Sequence, residues 1–212
     1  MRLNPGEFNR WLLEVGQRVL WREASTCPCR NEFSGAAEAT CPLCRGKGWL
    51  WAAPVEGVVG VPRQDVNRFV KDFGTYEAGD MAIAVGSDSP LYPMGRFDRV
   101  VLLNSTDRFE RFMVRGENDQ IDLPVAQLSR CYWRNPAGTA LIEGAVPAWN
   151  ATTKDLTWQD GEGPPVGTQY AIIGTKYDEY FVWDRMPSDR NEHQGLQLPK
   201  RVPMRKWDLF GR

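Results

Sequence analysis

The first residues of the chain alternate polar and apolar positions with the period of an α-helix. Four apolar side chains at i, i+3, i+4 and i+7 share one stripe: Phe8, Trp11, Leu12 and Val15. Asn4 is a favourable N-cap, and the proline that follows it suits the first helical turn. The pattern predicts a helix over about residues 5–16, whose stripe covers either a sheet of the same chain or a partner protein.

Most of the following sequence groups its apolar residues as β-strands do. The predicted strands are Arg18–Arg22, Leu50–Ala52, Glu56–Val61, Met81–Val85, Arg99–Leu103, Arg108–Val114 and Gln127–Trp133. Asp65–Phe73 fits a strand or a short helix, because its apolar residues also recur at helical spacing. Glycine and proline interrupt these segments at short intervals, which predicts a mainly β fold with a β-barrel or sandwich core.

A second group of short strands predicts a small β subdomain. Its strands are Leu141–Gly144, Asp155–Trp158, Gln169–Gly174 and Glu179–Trp183. The apolar positions of Leu198–Arg212 predict that the tail rejoins the first β unit or reaches a neighbouring protein. The expected organisation is an N-terminal helix (1–17), a four-cysteine zinc module (18–52), a β-barrel-like core (53–135 and 185–212) and the small β subdomain (136–184).

The composition is that of an ordinary folded protein, and it argues against several classes of function. Of 212 residues, 42% are hydrophobic and 25% are charged, as is usual for globular domains. No apolar run is long enough for a membrane-spanning helix, and the first residues lack the apolar segment of a secretory signal. The net charge of -1 argues against a general nucleic-acid-binding protein, because domains of that class are usually basic.

Four of the five cysteines lie close together in two pairs. Cys27 and Cys29 form a Cys-Pro-Cys pair, and Cys41 and Cys44 form a Cys-Pro-Leu-Cys pair that continues into Arg-Gly-Lys-Gly. Two close cysteine pairs across a short loop are typical of a tetrahedral Zn²⁺ site with thiolate ligands. Glycines after the second pair allow backbone N–H groups to turn toward sulfur. The spacing therefore predicts a zinc site that orders this segment.

The predicted zinc is structural, because four thiolate ligands leave no coordination position for a substrate. Two alternatives stay open: disulfides formed after release from the cell, and four reduced thiols without a metal. Cys131 lies far downstream and is predicted to be a buried core thiol. The segment 41–48 resembles the Cys-x-x-Cys-x-Gly-x-Gly repeat in the zinc-binding region of J-domain co-chaperones. That resemblance implies a zinc knuckle only, since the first cysteine pair departs from the repeat.

No pattern of catalytic residues is visible in the sequence. The single histidine, His193, lies in a polar segment and is predicted to be an exposed loop residue. The nucleophile-elbow, phosphate-loop and dinucleotide-binding glycine motifs do not occur. The chain is therefore not expected to be an enzyme.

Nucleic-acid binding by a zinc-ribbon-like module is an alternative function. Arg45, Lys47, Trp49 and Trp51 combine cations with aromatic rings, as proteins that bind single strands do. However, the two tryptophans alternate onto one face of a predicted strand, which favours a place in the core. Basic residues of the tail are mixed with apolar ones, which suits a protein interface better than a DNA-facing lumen: Lys200, Arg201, Arg205, Lys206 and Arg212.

Several segments, taken together, resemble a family of virion structural proteins from tailed bacteriophages. They are Leu3–Trp11, the two cysteine pairs, Glu77–Met81, Ser87–Tyr92, Phe97–Val100 and Asp208–Arg212. The resemblance implies a structural part of the virion. Within the virion we expect a neck protein, a connector or stopper, because a homo-oligomeric ring between capsid and tail would cover the apolar stripe and the tail by heterologous contacts. Such a ring would contact neighbouring neck or tail proteins and DNA passing through its lumen. A baseplate or tail-associated role is the alternative. The implied location is the virion, after assembly in the host cytoplasm and without a membrane.

Overall fold

The computed structural model describes residues 4–61, 79–159, 161–184, 192–193 and 195–210. The chain divides into two compact units. Unit 1 combines Met1–Asn104 with Glu179–Arg212, and unit 2 is Ser105–Asp178. Within the described ranges, no helix has the length and apolar character needed to cross a membrane.

Strands dominate both units, which confirms the prediction of a mainly β fold with an N-terminal helix. In chain order the elements are α1 (Pro5–Val15), β1 (Gln17–Arg22), β2 (Ala24–Thr26), β3 (Trp49–Trp51), β4 (Val55–Val59), β5 (Met81–Val85), β6 (Arg99–Val114), β7 (Val125–Arg134), β8 (Leu141–Gly144), β9 (Ala148–Trp149), β10 (Leu156–Thr157), β11 (Gln169–Val182), β12 (Glu192–His193), β13 (Leu196–Gln197), β14 (Lys200–Lys206) and the 3-10 helix Trp207–Leu209.

Helix α1 is fixed by its N-cap and by one buried polar contact. The Asn4 side chain accepts a hydrogen bond from the Gly6 N–H at 3.2 Å, as its sequence position predicts. Asn9 is buried, and its amide donates to the Ser87 hydroxyl at 3.0 Å while its oxygen accepts from the Ser87 N–H at 3.1 Å. Because a buried amide needs its partners, this exchange fixes which side of α1 faces the sheet.

The apolar stripe of α1 covers the sheet only in part. Leu12 is 3% exposed, whereas Trp11 is 52% and Val15 is 57% exposed. A Cβ on Gly60 would lie 2.7 Å from Leu12 Cδ2, so the helix packs closely where the sheet carries a glycine. The sequence leaves two roles open for the stripe, covering a sheet of the same chain or contacting a partner. Leu12 covers the sheet, whereas Trp11 is half exposed to solvent.

Unit 1 is built around one curved sheet. Its strands follow the order β4-β1-β6-β11-β14-β5, with the first part of β6 and the last part of β11. Two backbone hydrogen bonds of 2.8 Å join Gly60, just after β4, to Ala84 in β5, so the two edge strands meet at one bridge. Among the described residues no longer ladder joins these edges. The sheet is therefore curved but is not a closed barrel.

The core of unit 1 receives pairs of side chains that are two positions apart along each strand, the spacing that brings them to one face. These residues are Val19, Trp21, Ile83, Val85, Val100, Leu102, Tyr180, Val182, Val202 and Met204, joined by Val59, Leu91 and Met94. Burying each large apolar side chain contributes about 1.5–3 kcal/mol. The contribution of Val202 and Met204 shows that the tail rejoins unit 1, one of the two predicted outcomes.

Asp98 links three segments beside this core. It is 3% exposed and accepts hydrogen bonds from Trp21 Nε1 (2.7 Å), the Ala24 N–H (2.8 Å) and the Gly95 N–H (2.7 Å). Burial raises the pKa of Asp98, and the three donors oppose that rise. The carboxyl group therefore holds β1 and the start of β2 against the turn that precedes β6.

Unit 2 has a separate core. Strand β7 pairs with β11 over Tyr170–Lys176 and with β8 on its other side, and β9 pairs with β10. The buried residues are Phe109, Met113, Ile121, Val125, Cys131, Trp133, Leu156, Tyr170 and Ile172. Asp119 accepts hydrogen bonds from the Tyr170 hydroxyl (2.7 Å), from Arg115 (2.9 Å) and from the Gly116 N–H (2.9 Å).

Two predicted strand pairs are continuous in the structure. Arg99–Leu103 and Arg108–Val114 are parts of β6. Gln169–Gly174 and all of Glu179–Trp183 except its last residue are parts of β11. Polar side chains interrupt the apolar pattern in each case without ending the strand. Their backbone stays hydrogen-bonded in the ladder, which does not require apolar side chains.

The unit boundaries follow from these long strands. Since β6 and β11 each contribute to both units, unit 2 spans 105–178, whereas the sequence places the small subdomain at 136–184. Strand β1, assigned by the sequence to the cysteine module, belongs to the sheet of unit 1. The predicted element at 65–73 lies outside the described residues.

Asp98→Ala is expected to destabilise the protein by at least about 2 kcal/mol, because three N–H donors lose their acceptor. Asp88→Ala is the matched control, since Asp88 is exposed and its loss should change stability by less than about 0.5 kcal/mol. Urea unfolding of both variants measures the difference. Equal midpoints would contradict the anchoring role of Asp98.

Asp119→Asn is expected to remove part of the acid sensitivity of unit 2. Burial raises the pKa of Asp119, but its three hydrogen bonds lower it more, so the net pKa lies below the usual value. Such a carboxylate stabilises the fold above the unfolded pKa of about 3.9, and this stabilisation is lost as pH falls through the folded pKa. The variant should be about 1–3 kcal/mol less stable at neutral pH, with the deficit shrinking in acid. Glu117→Gln, at an exposed position, is the control.

Candidate metal centre

The four paired cysteines lie on a loop at the end of a short hairpin. Strands β2 and β3 pair antiparallel from Ala24 opposite Trp51 to Thr26 opposite Trp49. Beyond this ladder, the Cys27 N–H donates to the Gly48 carbonyl at 2.9 Å, which closes the base of the loop. We refer to residues 27–48 as the finger.

Tight turns position the first pair of sulfur atoms. After the Cys-Pro-Cys sequence, the Arg30 N–H donates to the Cys27 carbonyl at 3.1 Å. Cys27 is buried and Cys29 is half-buried. Because the two cysteines flank a single proline, both side chains reach the same interior point only through this turn.

The second pair depends on left-handed backbone. The Arg45 N–H donates to the Cys41 carbonyl at 2.9 Å, and the Lys47 N–H donates to the Cys44 carbonyl at 3.1 Å. Gly46 has φ of 77°, and a Cβ there would lie 3.2 Å from the Ala39 carbonyl oxygen. The glycine is therefore needed for both its backbone angle and its lack of a side chain, as the knuckle pattern predicts.

The structure brings the sulfur atoms of Cys27, Cys29, Cys41 and Cys44 together, all within 4.8 Å of one another. The Cys27 and Cys41 sulfurs are 3.8 Å apart, and those of Cys29 and Cys44 are 3.4 Å apart. A tetrahedral ion with metal–sulfur bonds of about 2.3 Å has sulfur–sulfur edges of about 3.8 Å. The four thiols thus fit a zinc-sized ion, and they lie well beyond the bond length of a disulfide, about 2.0 Å.

Backbone N–H groups point at three of the four sulfurs. The Cys29 N–H donates to the Cys27 sulfur, the Glu38 N–H to the Cys29 sulfur, and the Gly48 N–H to the Cys44 sulfur. Such donors stabilise thiolates and orient them, as in the outer shell of metal sites. The role of Gly48 agrees with the sequence-based expectation for glycine after the second pair.

The four thiols cannot all ionise at neutral pH without a cation. Burial raises the pKa of Cys29 to about 12. Burial also raises the pKa of Cys44, but the Gly48 N–H and the neighbouring thiols lower it more, to about 7. A bound metal ion would supply the positive charge that holds the remaining sulfurs as thiolates.

The other two candidate residues lie away from this cluster. Cys131 is fully buried in the core of unit 2, where burial raises its pKa to about 11, so the predicted core thiol is confirmed. His193 is exposed in the short strand β12. Neither belongs to a metal-ligating cluster among the described residues.

An aromatic cluster joins the hairpin to the rest of unit 1 and includes both tryptophans for which the sequence favours a place in the core. Trp49 lies 4.4 Å from Phe97 between ring centroids, and Trp51 lies 5.1 Å from Trp207. Trp207 stacks on Phe210 at 4.8 Å. The described part of the tail therefore contributes Trp207 and Phe210 to a cluster within the chain. The alternation of Trp49 and Trp51 predicts that both rings pack inward, but no local pattern identifies the distant rings that they contact.

No protein-family model matches the chain, and no curated protein matches it. The arrangement of the four sulfurs and their backbone donors is therefore the basis for assigning chemistry to this site.

Purified, reduced protein is expected to contain about one zinc per chain. Cys41→Ser should lower the metal content and increase hydrogen exchange over residues 24–52, because one ligand of the ion is lost. Cys131→Ser is the control, since that thiol lies outside the cluster and the metal content should not change. Elemental analysis measures the zinc. Metal loss without increased exchange in the finger would contradict a structural role.

Proposed function

We propose that this chain is a structural protein of a tailed phage particle, in which a zinc ion holds the finger in shape. In this proposal the chain forms a ring in the neck, between capsid and tail, and contacts neighbouring neck or tail proteins and the DNA in the lumen. The resemblance of those segments, from Leu3–Trp11 to Asp208–Arg212, to virion proteins supports a place in the particle. A baseplate or tail-associated position is the alternative.

The observation that carries the proposal is the four-sulfur cluster at the base of an exposed finger. Four thiol ligands fill a tetrahedral ion, which leaves it no role in binding a substrate. The finger that it orders exposes Phe33 and Leu43 to solvent. A metal that fixes backbone, together with apolar side chains presented outward, supports a role in protein–protein contact.

Nucleic-acid binding is the second candidate, favoured by cations that lie over aromatic rings. Arg30 lies 5.0 Å from the Trp49 ring centroid, and Lys47 lies 4.9 Å from that of Trp207. However, the Trp49 ring already packs against Phe97, which leaves it less surface for stacking with a base. Binding of a single-stranded oligonucleotide that weakens steeply with salt would support this candidate over the first.

Antibody against this chain is expected to label purified phage particles at the capsid–tail junction in immunogold electron microscopy. Label at the distal tip would support the baseplate alternative. Mass spectrometry of the same particles provides the control for buried epitopes. Absence of the chain from particles by both methods would overturn the proposed function.

A further inference from the structure

We propose that the finger has two ordered states, one in which its four sulfurs hold zinc and one in which they form the disulfides Cys29–Cys44 and Cys27–Cys41. The sequence leaves a metal and disulfides open as alternatives, and the sulfur positions suit both in succession at one site. This inference deepens the proposed function by naming how the finger responds to an oxidant. It rests on the zinc-held finger of that function, but not on the place of the chain in a particle.

The two disulfides join sulfur atoms that already lie in contact. The Cys29 and Cys44 sulfurs are 3.4 Å apart, and the Cys27 and Cys41 sulfurs are 3.8 Å apart. A disulfide bond is about 2.0 Å long, so each sulfur has to move by less than about 1 Å. Side-chain rotation supplies a movement of this size without requiring the backbone turns that carry the cysteines to break.

These pairings connect the same parts of the finger as the metal does. Cys27 and Cys29 lie in the first turn, Cys41 and Cys44 lie in the second, and each proposed disulfide joins one turn to the other. Disulfides within the pairs would leave the two turns unlinked. Because a cross-link between the turns restricts the unfolded loop, we expect the oxidised finger to stay ordered after zinc has left.

Cys29 carries the sulfur that an oxidant reaches first. It is half-buried, whereas Cys27, Cys41 and Cys44 are buried. Cysteine oxidation follows thiolate character and exposure, and a coordinated metal ion holds its cysteine ligands as thiolates. Cys131 is fully buried in the core of unit 2, outside the cluster, and is therefore expected to stay reduced.

With hydrogen peroxide as the oxidant, the chemistry balances in two steps. The Cys29 thiolate attacks one peroxide oxygen, which forms an S–O bond, breaks the O–O bond and releases hydroxide. The Cys44 thiolate then attacks the Cys29 sulfur, which forms the S–S bond, breaks the S–O bond and releases a second hydroxide. Two protons from solvent convert both hydroxides to water. The two sulfurs together lose two electrons, and the peroxide accepts them.

Zinc leaves because the first disulfide removes two of its four ligands, and a closed tetrahedral site needs all of them. Cys27 and Cys41 are then free to react with a second peroxide in the same way. The order of events is therefore the disulfide Cys29–Cys44, zinc release, and the disulfide Cys27–Cys41.

Titration of the reduced, zinc-loaded full chain with hydrogen peroxide tests the inference. About two equivalents should release about one zinc per chain, measured with a colorimetric chelator. Trypsin cuts after Arg22, Arg30 and Arg45, so the two cysteine pairs fall on separate peptides, 23–30 and 31–45. Mass spectrometry of the unreduced digest should find these peptides joined, and fragmentation should assign Cys29–Cys44 and Cys27–Cys41. With about one equivalent, Cys29–Cys44 should predominate.

Hydrogen exchange shows whether the oxidised finger stays ordered. Oxidised, zinc-free protein should keep the protection of residues 24–52, whereas reduced protein stripped of zinc by a chelator should lose it. Cys131→Ser is the matched control, because removal of that thiol should change neither the zinc release nor the disulfides.

Disulfides within each cysteine pair, sulfinic acid at Cys29 without a disulfide, or loss of protection on oxidation would each overturn the inference. A chain that binds no zinc would overturn it together with the zinc-held finger of the proposed function. Cross-linked, protected fingers in a chain absent from phage particles would support the inference while overturning the proposed place in the particle. Failure of the cross-links in a chain present in particles would do the reverse.

Discussion

The meeting of four sulfur atoms is the constraint on which the finger depends. Ordering backbone costs about 1–2 kcal/mol per residue, and the finger has few apolar side chains to offset that cost. Its buried cluster consists of the cysteines, with Leu50 of the stem packed against them. Binding of structural zinc contributes about 10–16 kcal/mol in small domains, which offsets a substantial part of that cost. Without the ion, packing four thiols together would add little to the stability of the finger.

Strands β2 and β3, the stem that carries the finger, are held to the rest of unit 1 by contacts that are independent of the metal. Asp98 accepts the Ala24 N–H at the start of β2, and Trp51 in β3 packs against Trp207 near the C-terminus. Arg99 lies over the Trp207 ring at 4.3 Å, which adds a cation to the cluster. The stem is thus fixed by the sheet and the tail, while the metal fixes the loop beyond it. This division explains how a segment with a thin core can present Phe33 at a defined position.

Local chemistry could be predicted from the sequence, whereas distant contacts could not. The cysteine spacing predicts the cluster because two short turns bring the ligands together regardless of the remaining fold. Asn4 likewise predicts the start of α1, because its capping contact reaches only to Gly6, two residues along the chain. The pairing of Trp51 with Trp207 joins residues far apart along the chain, and no local period encodes it. Strand β6 continues through Asn104–Asp107 because a ladder tolerates exposed polar side chains, which the apolar pattern alone marks as an interruption. The stripe of α1 divides between Leu12 and Trp11 according to where the sheet offers a glycine.

X-ray absorption spectroscopy at the zinc edge tests the central claim most directly, since it reports the atoms bound to the ion. We expect four sulfur neighbours at about 2.3 Å and no nitrogen or oxygen neighbour. A spectrum with oxygen or nitrogen in the coordination shell would mean that the ion is not closed by the four cysteines. In that case the structural role of the site, and the assembly role built on the finger, would be contradicted.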